Sequence, residues 1–221
     1  MKKLMMLMML LLCLMLAACG NTAENTDETA DTNIEENAAG VTVSPLADTA
    51  MDNLTDAIFA VSLEDGGAYV DDTGAMQMDV KIYTHDVYDM VDISNLKVGD
   101  IIVTYAGEVE VTSLEQNESG LICINGGQEA GGFDLVSDES GIYYEVGFND
   151  AKNWYEAGEA TIRVSADFQG YDNADPDKGE VIIYPGDFLT EGVVNYDFTP
   201  YNTTIRVAEG QIVEMTRVYI P

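Results

Sequence analysis

Hydrophobic and polar positions alternate along most of this chain, and each alternating run is short. The clearest lies at 78–85. Val80 and Ile82 fall on one face, while Asp79, Lys81, Tyr83 and His85 fall on the other. A period of two over a few residues predicts a half-buried strand. Comparable runs lie at 57–63, 101–105, 109–114, 121–125, 133–136, 142–148, 160–168, 181–184 and 193–198. Helical signals are few: 47–54, with Asp48 as N-cap, and a single turn at 91–96. Turn residues separate the runs, among them Ala106-Gly107, the glycine-rich 126–132, whose glycines are expected at positive φ, and Pro185-Gly186. Many short strands and few helices predict an all-β fold. Its expected form is an antiparallel sandwich or a partly open barrel with one or two short helices.

The last two runs, 203–207 and 211–219, flank Ala208-Glu209-Gly210 and predict a hairpin. A two-residue loop would set Ile205 opposite Glu214. A three-residue loop sets Ile205 opposite Val213 and Thr203 opposite Met215. It also gathers Thr204, Arg206, Ile212, Glu214 and Thr216 on the other side. The second register gives one mainly apolar face and is the expected one. Val213 is then a core residue. Arg217 breaks the pattern, so a bulge is expected near Thr216.

The first 19 residues follow a different pattern. Lys2 and Lys3 precede an uncharged run of Leu and Met, and small residues then lead to Cys19. A basic start, a short apolar run and small residues are the parts of a secretory signal. The run is shorter than the roughly 20 residues a spanning helix needs, so cleavage is expected. Leu16-Ala17-Ala18-Cys19 resembles the lipobox of bacterial lipoproteins. The resemblance covers these 19 residues only. It implies a diacylglyceryl group on the Cys19 sulfur, cleavage before Cys19, and a protein held on the outer side of a bacterial cell membrane. One acyl chain such as palmitate holds a protein marginally, whereas two hold it firmly.

The expected organisation is a signal at 1–18, a lipidated Cys19 with an acidic tether to residue 40, and a folded domain at 41–221. The tether is rich in Asn, Thr, Ala, Glu and Asp, and Ile34 is its only large apolar residue. Such a composition predicts disorder. A subdomain seam is placed near 149–156.

The chain has 221 residues and a formal charge of -31. That balance excludes nucleic acid as a partner, because phosphate binding needs clustered Lys and Arg. It also repels a bare anionic membrane, so the acyl anchor must supply the attachment. Of the three cysteines, Cys13 leaves with the signal and Cys19 carries lipid. Cys123 is then alone, flanked by apolar neighbours, and is expected to be a small buried hydrophobe.

Candidate chemistry is sparse. His85-Asp86 is the only histidine-containing pair, and His85 is expected to be exposed at a strand end. Paired carboxylates could act on glycosidic bonds, but with 40 acidic residues chance pairs are common. Asn173, Asp175 and Asp177 alternate as the first ligands of an EF-hand loop do, which points to calcium. Lys178 stands where that loop needs its turn glycine, and Tyr184 where it needs its bidentate Glu. Trp154 and Tyr155, near Asp150 and Glu156, offer aromatic faces beside polar groups, as a glycan-binding surface does. The expected function is a non-catalytic binding or scaffolding domain on the cell surface, its partner an envelope component or glycan. The alternatives are a glycan-active enzyme using two carboxylates and a calcium-dependent adhesion module. No cofactor other than calcium is implied.

Overall fold

A computed structural model describes residues 40–147 and 151–220. The signal, Cys19 and the tether up to residue 39 lie outside the described residues, as do positions 149 and 150 of the expected seam.

Five strands form a ring. They are β2 (Ala57–Ser62), β4 (Met76–Thr84), β12 (Tyr155–Asn173), β14 (Thr203–Ala208) and β15 (Gln211–Val218). Their order around the ring is β2-β4-β12-β15-β14, and β14 returns to β2. The length of β12 permits closure. Its first half runs antiparallel to β4 and its second half parallel to β15. The other ring pairs are antiparallel. The fold is therefore all-β with a barrel-like sheet. β3 (Ala68–Val70) extends the sheet from β4, and β13 (Val181–Ile183) extends it from β12.

The alternation in sequence explains the barrel interior. Met78, Val80 and Ile82 point inward from β4, and Val61, Ile205, Val207, Ile212 and Met215 meet them, all buried. Each such side chain contributes about 1.5–3 kcal/mol by leaving water. A 3-10 turn, Pro185–Leu189, carries Phe188 against this core, where it packs on Phe168, Tyr196 and Phe198.

Between β4 and β12 the chain builds a second unit. It contains β5 (Val87–Tyr88), helix α1 (Met90–Asn95), β6 (Ile101–Thr104), β7 (Gly107–Glu110), β8 (Leu114–Gln116), β9 (Ile122–Ile124), β10 (Phe133–Ser137) and β11 (Tyr143–Glu145). One sheet has the order β5-β11-β10-β9-β8. A smaller one joins β6 and β7 to β1 (Thr42–Val43). These strands bury their own cluster, including Tyr88, Ile102, Ile124 and Leu135. The chain thus has two apolar cores, and it crosses between them after β1, at 84–87 and again at 152–155.

Several local expectations need correction. No helix forms at 47–54. The Asp48 carboxylate accepts from the Ala50 amide, and the Asn53 side-chain oxygen accepts from the Thr55 and Asp56 amides. Such local bonds compete with the helix for the same backbone groups. No strand forms at 193–198, where Phe198 makes only a single bridge to Leu63. The C-terminal hairpin turns on two residues, Glu209 and Gly210, at φ of 52° and 72°. A bulge between the pairs Arg206–Glu214 and Val207–Ile212 then sets Ile205 opposite Met215. Ile212 is buried, and Val213 is only half-buried. Cys123 is half-buried rather than enclosed, opposite Asp134, whose carboxylate holds the thiol pKa above the ordinary value. In the glycine-rich loop Gly126, Gly127 and Gly131 have the expected positive φ, but Gly132 does not.

Candidate functional site

The chain crosses between its two cores as His85-Asp86 on the way out and as Asn153-Trp154-Tyr155 on the way back. Tyr155 pairs with Thr84, Lys152 bridges Val146, and the Asn153 amide donates to the Glu145 carbonyl at 3.0 Å. Successive side chains of extended backbone point to opposite faces. Each of these short stretches therefore sends alternate residues to two different sides.

On one side stand Asp86, Glu145, Asn153 and Tyr155. The Asn153 side-chain amide donates to Glu145 Oε1 at 2.8 Å and to the Tyr155 hydroxyl at 2.7 Å. That hydroxyl donates to Glu145 Oε2 at 2.8 Å. Tyr105, at the β6–β7 turn, stacks on the Tyr155 ring with centroids 4.3 Å apart and planes 15° apart. Its backbone amide donates to Asp86 Oδ2 at 2.6 Å, which fixes the turn. Tyr105 is 61% exposed. An aromatic ring in that position is held from behind and open in front.

Burial raises the Asp86 carboxyl above its ordinary pKa, against the Tyr105 amide that lowers it, and the nearby Glu145 and Asp48 charges raise it further. The Tyr155 hydroxyl is pushed far above its ordinary value by burial and by its bond to the Glu145 carboxylate. It stays protonated and donates.

On the other side stand His85, Tyr144, Lys152 and Trp154. The His85 ring meets Trp154 edge-on, with centroids 4.8 Å apart, and Tyr144 at 6.2 Å. Lys152 Nζ lies 5.1 Å from the centre of the Tyr144 ring. Burial, with the Lys152 charge beside it, pulls the His85 pKa down to about 4. His85 is thus half-buried and neutral at neutral pH, not the exposed residue expected. The insertion between β4 and β12 wraps it, and alternation within one strand gives no sign of that. The contacts also separate Trp154 from Tyr155. The two rings do not form one continuous surface.

The acidic loop after β12 is organised around a lysine. Lys178 Nζ lies 3.0 Å from Asp175 Oδ2, and Asp175 Oδ1 accepts from the Asp177 amide at 3.1 Å. The Asn173 amide side chain is 3.4 Å from Glu180 Oε2. Asn173 thus closes β12, while Asp175 and Asp177 lie in the loop that follows, where Lys178 pairs with Asp175. Among the described residues, no three His, Cys, Asp or Glu side chains are grouped to hold a metal ion.

Sequence reasoning selected Trp154 and Tyr155 but missed Glu145 and Tyr105. The only available signal was Tyr105 standing directly before the Ala106-Gly107 turn. Glu145 is joined to Asn153 by the fold, not by spacing. No family model matches the chain, and no curated protein and no solved structure is detectably similar to it.

Proposed function

We propose that this chain is a lipid-anchored binding domain on the outer side of a bacterial cell membrane. In this reading Cys19 holds the protein to the membrane, and the folded part takes a glycan without chemistry. The observation that carries the binding half is the Tyr105–Tyr155 stack, with Tyr105 exposed beside Asp86, Glu145 and Asn153. The C–H face of a sugar ring suits an aromatic plane. The carboxylate of Glu145 accepts two hydrogen bonds from protein, and a carboxylate has about four acceptor positions. Those left over suit sugar hydroxyls. The anchoring half rests on the order of charge, apolar run, small residues and Cys19. No helix of the described residues is long and apolar enough to cross a membrane.

A second reading is a two-carboxylate glycan-active enzyme, favoured by the raised pKa of Asp86 next to Glu145. The test is a glycan-array screen of the protein and its Tyr105→Ala variant, with product analysis of any glycan bound. Retention of an intact glycan by the parent and its loss in Tyr105→Ala support binding. Cleavage that Glu145→Gln abolishes supports the enzyme. An empty array sinks the platform reading. For the anchor, mass spectrometry should find a diacylated Cys19 as first residue, and an unmodified mature N-terminus rejects it.

A further inference from the structure

The far side of the crossing carries a groove of about 370 Å³, lined in part by Thr49, Ile58, Tyr83, Thr84, His85 and Trp154. Small-molecule sites span roughly 300–1,000 Å³, mostly apolar with a few placed polar groups. Its outstanding property is chemical. Charged residues are 22% of this chain, and its formal charge is -31, yet the described lining contains no Asp, Glu, Lys or Arg. His85 adds no charge at neutral pH. Ile58, on the outer face of β2, is 69% exposed, and the half-buried Trp154 lies along the same groove. Within that lining, His85 Nδ1 is buried without a hydrogen-bond partner.

A charged ligand entering here would lose hydration and find no counter-ion in the lining itself, since Lys152 lies outside it against the Tyr144 ring, and that is costly. A wholly apolar ligand would leave the threonine hydroxyls and the tyrosine dry. An uncharged ring with one apolar face and a hydroxyl rim meets neither penalty. We propose that this groove is a second binding seat, for an uncharged pyranose that lies against Trp154 and Ile58 with its hydroxyls toward Thr49, Thr84 and His85. The seat is independent of the Tyr105 platform, since Trp154 and Tyr155 make separate sets of contacts.

Trp154 is the only tryptophan in the chain, so intrinsic fluorescence reports on the groove directly. The detergent-solubilised protein is titrated with methyl β-glucopyranoside, with glucuronate and glucosamine as charged counterparts. The expected result is a saturable emission change for the neutral glycoside, at least tenfold tighter than for either charged sugar. Ile58→Asp and Thr49→Glu each put a charge into the wall at an exposed position, and each should weaken the neutral response at least tenfold. Near-wild-type melting of at least one of them makes that comparison valid. No saturable change, equal response to glucuronate, or unchanged binding in the folded variant overturns the proposal. None of these results touches the Tyr105 platform, which is read by the array and by Tyr105→Ala.

Discussion

Arg217 of β15 lies opposite Asp172 of β12, and the two form a largely buried, two-pronged ion pair. Arg217 Nε donates to Asp172 Oδ1 at 2.9 Å, and Nη2 donates to Oδ2. Nη1 donates to the Asn195 carbonyl at 2.7 Å, and the guanidinium lies 4.6 Å from the centre of the Phe198 ring. One side chain thus ties the parallel strand pair to the segment that follows Pro185–Leu189. Removing one partner leaves a buried charge alone. Arg217→Met should therefore destabilise the protein by about 3–5 kcal/mol in urea unfolding. Asp172→Leu/Arg217→Met should recover much of that loss. A single variant as stable as the parent would show the pair to be open to water.

The same pair should set part of the acid sensitivity. Burial pushes the Asp172 carboxyl up, but hydrogen bonds from Arg217 and the Ala174 amide outweigh it and hold the carboxyl below its ordinary pKa. The unfolded chain then takes up the proton first as pH falls. The stabilisation is complete above the unfolded value of about 3.9 and is lost as pH drops below it, toward the folded value. Melting temperatures of the parent and Asp172→Asn should differ near neutrality and converge under acid. A constant difference across that range would contradict the assignment.

His85 acts in a higher window. Its folded pKa is about 4 against an ordinary 6.5. Above 6.5 both states are neutral and His85 contributes no pH dependence. Between 6.5 and 4 the unfolded chain binds the proton and the folded one does not, so stability falls with falling pH. Partial solvent access makes the effect smaller than full burial would. His85→Gln should flatten the melting profile across that interval, and an NMR titration of the imidazole should give a midpoint below 5. A midpoint near 6.5 would mean that the ring is solvated.

The C-terminal hairpin shows where pattern reasoning fails. Most strands were legible, because alternation against a single core is a local property. Asp79, Lys81 and Tyr83 do face out while Val80 and Ile82 face in. Register at 203–219 was not. Glu209 and Gly210 both have positive φ, so the turn takes two residues and not three. A bulge then adds one residue to β15, which brings Ile212 and Met215 to the same side. A bulge breaks the period of two, and with it the only local guide to which face is buried. Ile212→Ala should cost about 2–5 kcal/mol as a core truncation. Val213→Ala should cost clearly less. The reverse order would restore the three-residue loop.

The candidate site was legible only in part, for a related reason. Trp154 and Tyr155 stand out by composition, but their separation into two surfaces follows from how the insertion between β4 and β12 folds back. Glu145 reaches Tyr155 and Asn153 through that fold alone. Adjacency in sequence suggests one surface, whereas extended backbone sends neighbouring side chains apart.

Calcium gives the last prediction. Asn173, Asp175 and Asp177 attract a hard cation by residue type, and an extracellular site of this kind would work at millimolar calcium. The ammonium of Lys178 already lies against Asp175 and, with Ala174 and Asp177 as local turn contacts, shapes the loop. Lys178 holds the exposed Asp175 carboxyl below its ordinary pKa. Calcium must displace that ammonium, and Tyr184 provides no bidentate carboxylate in return. At ten times its dissociation constant a bound ion would raise stability by about 1.4 kcal/mol. Unfolding in about 10 mM calcium, well into the range where extracellular modules fill, should therefore stabilise the parent no more than Asp175→Ala/Asp177→Ala. Lys178→Ala removes the competitor and exposes any latent affinity. A calcium-dependent gain in the parent that the double variant lacks would establish the site. A gain confined to Lys178→Ala would show that the lysine alone keeps it closed.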